Sequence, residues 1–190
     1  MNLFEFLLVI VSIVLGLGIA ELLGGLTRIL RGELTVGRLH AIWMLIVLQL
    51  QIQMAWAFWN LHLREAWSYP EFLLLLAGPL LLYLSASVLF PATGTDQPLD
   101  DHLMNRRRPF FVLMSAFMAY SVLFTWLLMG KDFPLVTTSV RALVLAAFIT
   151  LACTTRRSVH LVIALAILAL HLWYTYSYSF MVIATPQKLT

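Results

Sequence analysis

The chain has 190 residues, of which 62% are hydrophobic and 11% charged, and its formal net charge is +3. Soluble domains carry about a quarter charged residues, and a domain this small turns too much surface to water to hide so many apolar side chains. A water-soluble fold is excluded. So is a nucleic-acid-binding one, because no basic stripe with interleaved aromatic residues occurs.

A helix needs roughly 20 apolar residues to cross a hydrocarbon core of about 30 Å. Six such runs are present, at 3–30, 39–61, 72–90, 109–129, 134–153 and 159–183. A membrane barrel would instead show short alternating strands. The sequence therefore predicts an all-α polytopic membrane protein, a single transmembrane domain over 1–190 whose six helices form three hairpins. A short acidic-Phe pair at Glu5-Phe6, Glu71-Phe72 and Asp132-Phe133 marks the start of each hairpin as a weak repeat.

The first run lacks a basic leader and a small-residue cleavage site, and its first charge is Glu5, so it reads as a retained span rather than a cleaved signal. Ser12, Gly16, Ala20 and Gly24 recur every fourth residue and form a smooth stripe. Such stripes let membrane helices approach closely, within a subunit or between subunits. Glu21 lies beside the stripe on a face with Gly18, Gly25 and Arg28. At 1.5 Å per residue it sits roughly 8 Å from the span midpoint. A charge at the bilayer centre costs about 2.5–3.5 kcal/mol on insertion scales. Glu21 is therefore a candidate to bind a proton or cation, or to pair with an arginine and hold the bundle together.

The second run places Gln49, Gln53, Trp56 and Asn60 on one face. The third contains Gly78-Pro79, and a proline inside a helix removes a backbone hydrogen bond and bends it. The connection at 91–108 is polar and turn-rich. Its Asp100-Asp101-His102 triplet could be read as a metal or acid–base group. Adjacent residues seldom converge on one ion, however, and three arginines follow, so the stretch reads as a solvated, charge-balanced loop.

Tyr120 and Ser121 fall mid-span in the fourth run. The fifth carries Arg141 and a second small stripe, Thr138, Ala142, Ala146 and Thr150. Arginine stays charged in a protein, so Arg141 requires water, an anion or an acidic partner. Glu21 is offset from it by roughly 13 Å in depth at 1.5 Å per residue, too far for a direct pair. In the sixth run His171, Tyr174 and Tyr178 share a face. The single cysteine, Cys153, excludes an intramolecular disulfide.

Excluding Arg141, eight Lys or Arg residues fall on one side of the predicted membrane and three on the other. Arg28, Arg31, Arg38, Arg106, Arg107, Arg108, Arg156 and Arg157 face Arg64, Lys131 and Lys188. The positive-inside rule puts the eight in the cytoplasm and both termini outside. Trp56, Trp59, Trp67, Trp126 and the aromatic run at 171–180 gather toward the predicted outer face, where such rings prefer to lie.

No motif names a reaction. No lysine lies inside a span, which rules out a retinal Schiff base. No cofactor and no metal are predicted; haem held by His40 and His160, near the cytoplasmic ends of their helices, is the one cofactor alternative. The residues predict a small channel or transporter for an ion or small solute, acting as a homo-oligomer in the cell (inner) membrane. Its polar path would touch Glu21 and Arg141, with Gln49, Gln53, Tyr120 and His171 close by. The alternative is a non-catalytic scaffold, accessory subunit or assembly factor. Its partners would be lipid and other membrane subunits, with no nucleic acid.

Overall fold

The computed structural model describes residues 3–59, 61–62, 64, 66–92, 97–128 and 135–179, without the side chains of residues 3, 135–137 and 178–179. All regular structure among them is helical: α1 Leu3–Leu30, α2 Arg38–Trp59, α3 Tyr69–Leu89, α4 Leu99–Asn105, α5 Arg107–Leu127, α6 Leu135–Cys153 and α7 Arg157–Tyr174, the last running into a π-helical turn at Thr175–Ser179. Backbone polar groups have no water to meet in lipid, so the chain satisfies them within helices. Five helices are long and apolar enough to cross a membrane: α1, α2, α3, α5 and α7. The remaining expected span, 134–153, corresponds to α6, which is 19 residues long; its stretch Thr138–Cys153 is shorter than the other five.

Local chemistry fixes the helix ends. α1 stops at Gly32, whose φ of 76° lies in the left-handed region. There the Glu33 N–H bonds the Arg28 carbonyl and the Gly32 N–H bonds the Ile29 carbonyl, both at 3.0 Å. α3 opens with Pro70 in its first turn. The Glu71 carboxylate accepts from the Ser68 N–H at 2.8 Å and also takes the Arg64 guanidinium. The stretch expected as a solvated loop instead contains α4. Leu99 and Leu103 are fully buried, and the two aspartates between them reach the starts of two other helices. Asp100 accepts the His40 N–H at 2.8 Å, filling the space where a side chain on Gly37 would stand. Asp101 pairs with Arg157 at the start of α7. A carboxylate at a helix N-terminus is the favourable sign there.

These contacts bring the ends of α1, α3 and α6 and the starts of α2, α5 and α7 to one end of the bundle, the basic end. The other is the aromatic end, where Trp56, Trp59, Trp126 and Trp173 are exposed. α1 packs most extensively on α3, α3 on α5 and α5 on α6, while α2 is held by α1, α3 and α7. Of the predicted hairpins, α3 and α5 pack directly on one another, whereas α1 packs more on α3 than on α2 and α7 more on α2 than on α6. α2 and α7 run side by side in the same direction.

The core has two clusters. At the basic end Trp43 is fully buried against Phe110, Phe111 and Phe148, with ring centroids 5.4, 5.0 and 6.0 Å away. Leu99, Leu103 and Met104 of α4 belong to the same cluster. At the aromatic end Leu7, Val11 and Leu15 of α1 pack with Met54 and Phe58 of α2, Leu75 and Leu82 of α3, and Phe117, Tyr120 and Phe124 of α5.

The small stripes take no part in this packing. Ser12, Gly16, Ala20 and Gly24 are exposed on α1, as are Thr138, Ala142, Ala146 and Thr150 on α6. A side chain added at Gly16 or Gly24 would meet nothing within 4 Å. α1 is buried along Phe4, Leu7, Val11, Leu15, Gly18, Leu22 and Gly25 instead. Gly18 lies against Gln51 and Gly25 against the Phe90 ring, each too close for a Cβ.

Candidate solute site

Most hydroxyls in the spans bond the carbonyl one turn back: Thr27 to Leu23, Ser85 to Leu81, Ser115 to Phe111 and Thr150 to Ala146, at 2.7–2.9 Å. These satisfy themselves and form no polar path. Two threonines do more. Thr125 of α5 donates to the Ser121 carbonyl at 2.8 Å and accepts from Arg141 Nη2 of α6 at 3.2 Å. Thr175, just past α7, donates to the His171 carbonyl at 2.9 Å. It accepts from Gln49 Nε2 at 3.3 Å and also from Gln53 Nε2, both on α2. Each threonine commits its proton to its own helix, so its oxygen can only accept. That fixes which ends of the glutamines and of Arg141 it meets.

The two clusters adjoin through α7. Tyr174, beside Thr175, is the electrostatic neighbour of Arg141, and His171 lies one turn deeper with Nε2 buried. Arg141 is half-buried, with Nη1 shielded from solvent. Of the residues expected on a polar path, Gln49 and Gln53 thus meet Thr175 between α2 and α7, and Arg141 meets Thr125 between α6 and α5, with His171 one turn before Thr175 on α7. Asn60 lies outside the described residues, and so does the Tyr178 side chain.

Tyr120 and Glu21 lie elsewhere. Tyr120 faces α3, where the absence of a side chain at Gly78 admits its ring and the end of Met54. It stacks at 5.9 Å on Phe117 and belongs to the apolar aromatic-end cluster. Glu21 is half-buried on α1. Its helix packs on α2 and α3, whereas Arg141's helix packs on α5 and α7.

Sequence reasoning passed over Gln51, which is fully buried with neither amide atom hydrogen-bonded among the described residues. Gln49, Gln53 and Trp56 define the face of α2 turned to α7, and Gln51 lies on the opposite one. Only its contact with Gly18 locates it.

At the basic end His40 and His160 are both fully buried. In each, Nε2 bonds a main-chain carbonyl at 3.0 Å, of Leu89 and Thr154 respectively. His160 also packs on Phe111, with ring centroids 5.5 Å apart. Among the described residues, no group of three or more His, Cys, Asp or Glu is placed to hold a metal ion. Comparison with protein-family models, with curated proteins and with solved structures returns no match.

Proposed function

We propose that the chain is a small integral membrane transport protein, with α6 completing a set of six spans, and that the aromatic-end polar groups form its solute site. The observations that carry this are two polar contacts at the aromatic end of helices otherwise built of apolar residues: Gln49 and Gln53 of α2 on Thr175 beyond α7, and Arg141 of α6 on Thr125 of α5. Intramembrane ionisable groups are expensive and mark solute pathways far more often than chance. The opposite end is closed by the Trp43 ring box and α4, so the site opens toward the aromatic end. With the basic end in the cytoplasm of the cell (inner) membrane, as the arginine distribution supports, it opens outward.

Glu21 belongs to a different face. The outward stripe Ser12, Gly16, Ala20 and Gly24 beside it suits contact with a second copy. The same stripe favours the second reading, a membrane scaffold or accessory subunit that engages other proteins through α1.

Reconstitution separates the two. Liposomes containing the purified protein pass small solutes or ions on the transport reading, and Gln53→Leu slows that flux several-fold without loss of helicity. If no flux appears across a panel of ions and small polar solutes, while Gly16→Leu and Gly24→Leu break a complex, the scaffold reading replaces it.

A further inference from the structure

We infer that the corner of the basic end where α4, α5 and α7 meet seats an anionic phospholipid, with Arg106, Arg108 and Arg156 on its phosphate and an acyl chain along α5. Three spanning helices start at this end, α2, α5 and α7. A helix start is the positive end of its dipole, so a carboxylate stabilises it and a cation does the reverse. α2 receives Asp100 at the His40 N–H, and α7 receives Asp101 at Arg157. α5 is treated differently. Its first turn holds no acidic residue, no side chain caps it, and Arg106, Arg107 and Arg108 lead into it. Positive charge is in excess here whatever the acidic residues do. Eight arginines belong to the basic end, against at most four acidic side chains, Glu33, Asp96, Asp100 and Asp101. Asp96 is counted although it lies outside the described residues, while Glu65 and Asp132 fall in connections at the aromatic end.

The packing brings the arginines of α5 and α7 to one place. Phe111 of α5 lies against His160 of α7, with ring centroids 5.5 Å apart. One turn earlier on α5, Arg107 is an electrostatic neighbour of His160 and donates from Nη1 to the Met104 carbonyl of α4 at 2.9 Å. Arg107 and Arg157 thus hold α4 from two sides, while Arg106, Arg108 and Arg156 are exposed. Arg108 also heads an exposed face of α5 that continues through Val112, Ala116, Ala119 and Leu123 to Trp126. From Arg108 to Trp126 this face is roughly 27 Å long at 1.5 Å per residue, close to the hydrocarbon thickness of about 30 Å. With Trp126 at one interface, Arg108 stands at headgroup depth in the other leaflet. A guanidinium presents a planar fork of donors that matches phosphate oxygens, and the apolar face below it suits an acyl chain. In a zwitterionic lipid the phosphate already has its own cation, so an anionic one is favoured.

The test uses the full chain in a non-ionic detergent, titrated with dioleoyl phosphatidylglycerol or dioleoyl phosphatidylcholine and read by native mass spectrometry. Phosphatidylglycerol is expected to bind in saturable fashion and more tightly than phosphatidylcholine. A basic residue near an anionic surface contributes about fivefold in affinity. Arg108→Gln with Arg156→Gln should therefore lower the phosphatidylglycerol preference by at least about tenfold. The charge-matched pair Arg31→Gln with Arg38→Gln, at the same end but away from the corner, should change it by less than about twofold. Should the first pair fail to fold, Arg156→Gln against Arg31→Gln decides the matter, with a loss of about threefold or more expected in the former alone. Dihexanoyl phosphatidylglycerol, which has the headgroup but little chain, should bind more weakly than the dioleoyl lipid. Equal binding of the two dioleoyl lipids overturns the inference. So does an equal loss in both charge-matched pairs, because the end then acts only through its total charge. Displacement of phosphatidylglycerol by millimolar inorganic phosphate also overturns it, since the ligand is then a free anion.

Discussion

At the basic end Trp43 is packed on three phenylalanine rings, α4 lies across the helix ends, and the carboxylates of Asp100 and Asp101 are tied to the starts of α2 and α7. At the aromatic end the tryptophans turn outward, and Arg141, Gln49 and Gln53 meet threonine hydroxyls across two helix boundaries. Both ends hold polar groups at a cost in lipid. The basic end spends its polar contacts on helix termini beside the buried aromatic cluster, which makes it a structural cap. The aromatic end joins side chain to side chain between helices, and this is the arrangement that a ligand can enter or replace.

Substitutions at the two ends are expected to separate stability from function. The largest loss of stability belongs to the cap. Trp43→Ala removes a fully buried ring and leaves a cavity, costing about 3–5 kcal/mol, read as a lowered unfolding midpoint in detergent titration. Asp100→Ala comes next, at about 1–2 kcal/mol, because it removes the carboxylate that caps α2. Asp101→Ala sharpens that value: its pair with Arg157 is largely exposed, so its loss costs under about 1 kcal/mol. Equal effects from the two aspartates would mean that α4 is held by its leucines alone. The smallest effect on stability belongs to the aromatic end. Gln53→Leu costs about 0.6 kcal/mol, the average for a hydrogen bond between membrane helices, and on the proposed transport reading solute flux falls several-fold.

The spans were legible because length and apolarity suffice to define a membrane helix, and five of the six runs reappear as long apolar helices. Which face of a span meets protein was not. Lipid is as apolar as leucine, so α1 has no amphipathic pattern to distinguish Gly18 and Gly25, which are packed, from Gly16 and Gly24, which are not. The partners Gln51 and Phe90 make that choice, and they lie far away in sequence. α4 was hidden for a related reason. Asp100 and Asp101 read as solvated charges, although the buried Leu99 and Leu103 are spaced four apart as on one side of a helix. Tyr120 fell at the same depth as the polar residues, and depth alone cannot say that it turns toward Gly78. That Gln49 and Gln53 share one face of α2 was legible from helical phase, and both meet the same hydroxyl. Their meeting point, Thr175, carried no signal of its own.

Thiol accessibility tests the contrast between the ends most directly. In a Cys153→Ser background, single cysteines placed at Gln53 and at Ile46 are exposed in proteoliposomes to a membrane-impermeant maleimide from each side in turn. The cysteine at position 53 should react from the aromatic-end side only, and the one at position 46, buried beside Trp43, from neither. A protected position 53, or a position 46 that labels from the basic end, would contradict an open polar site facing a closed aromatic cap.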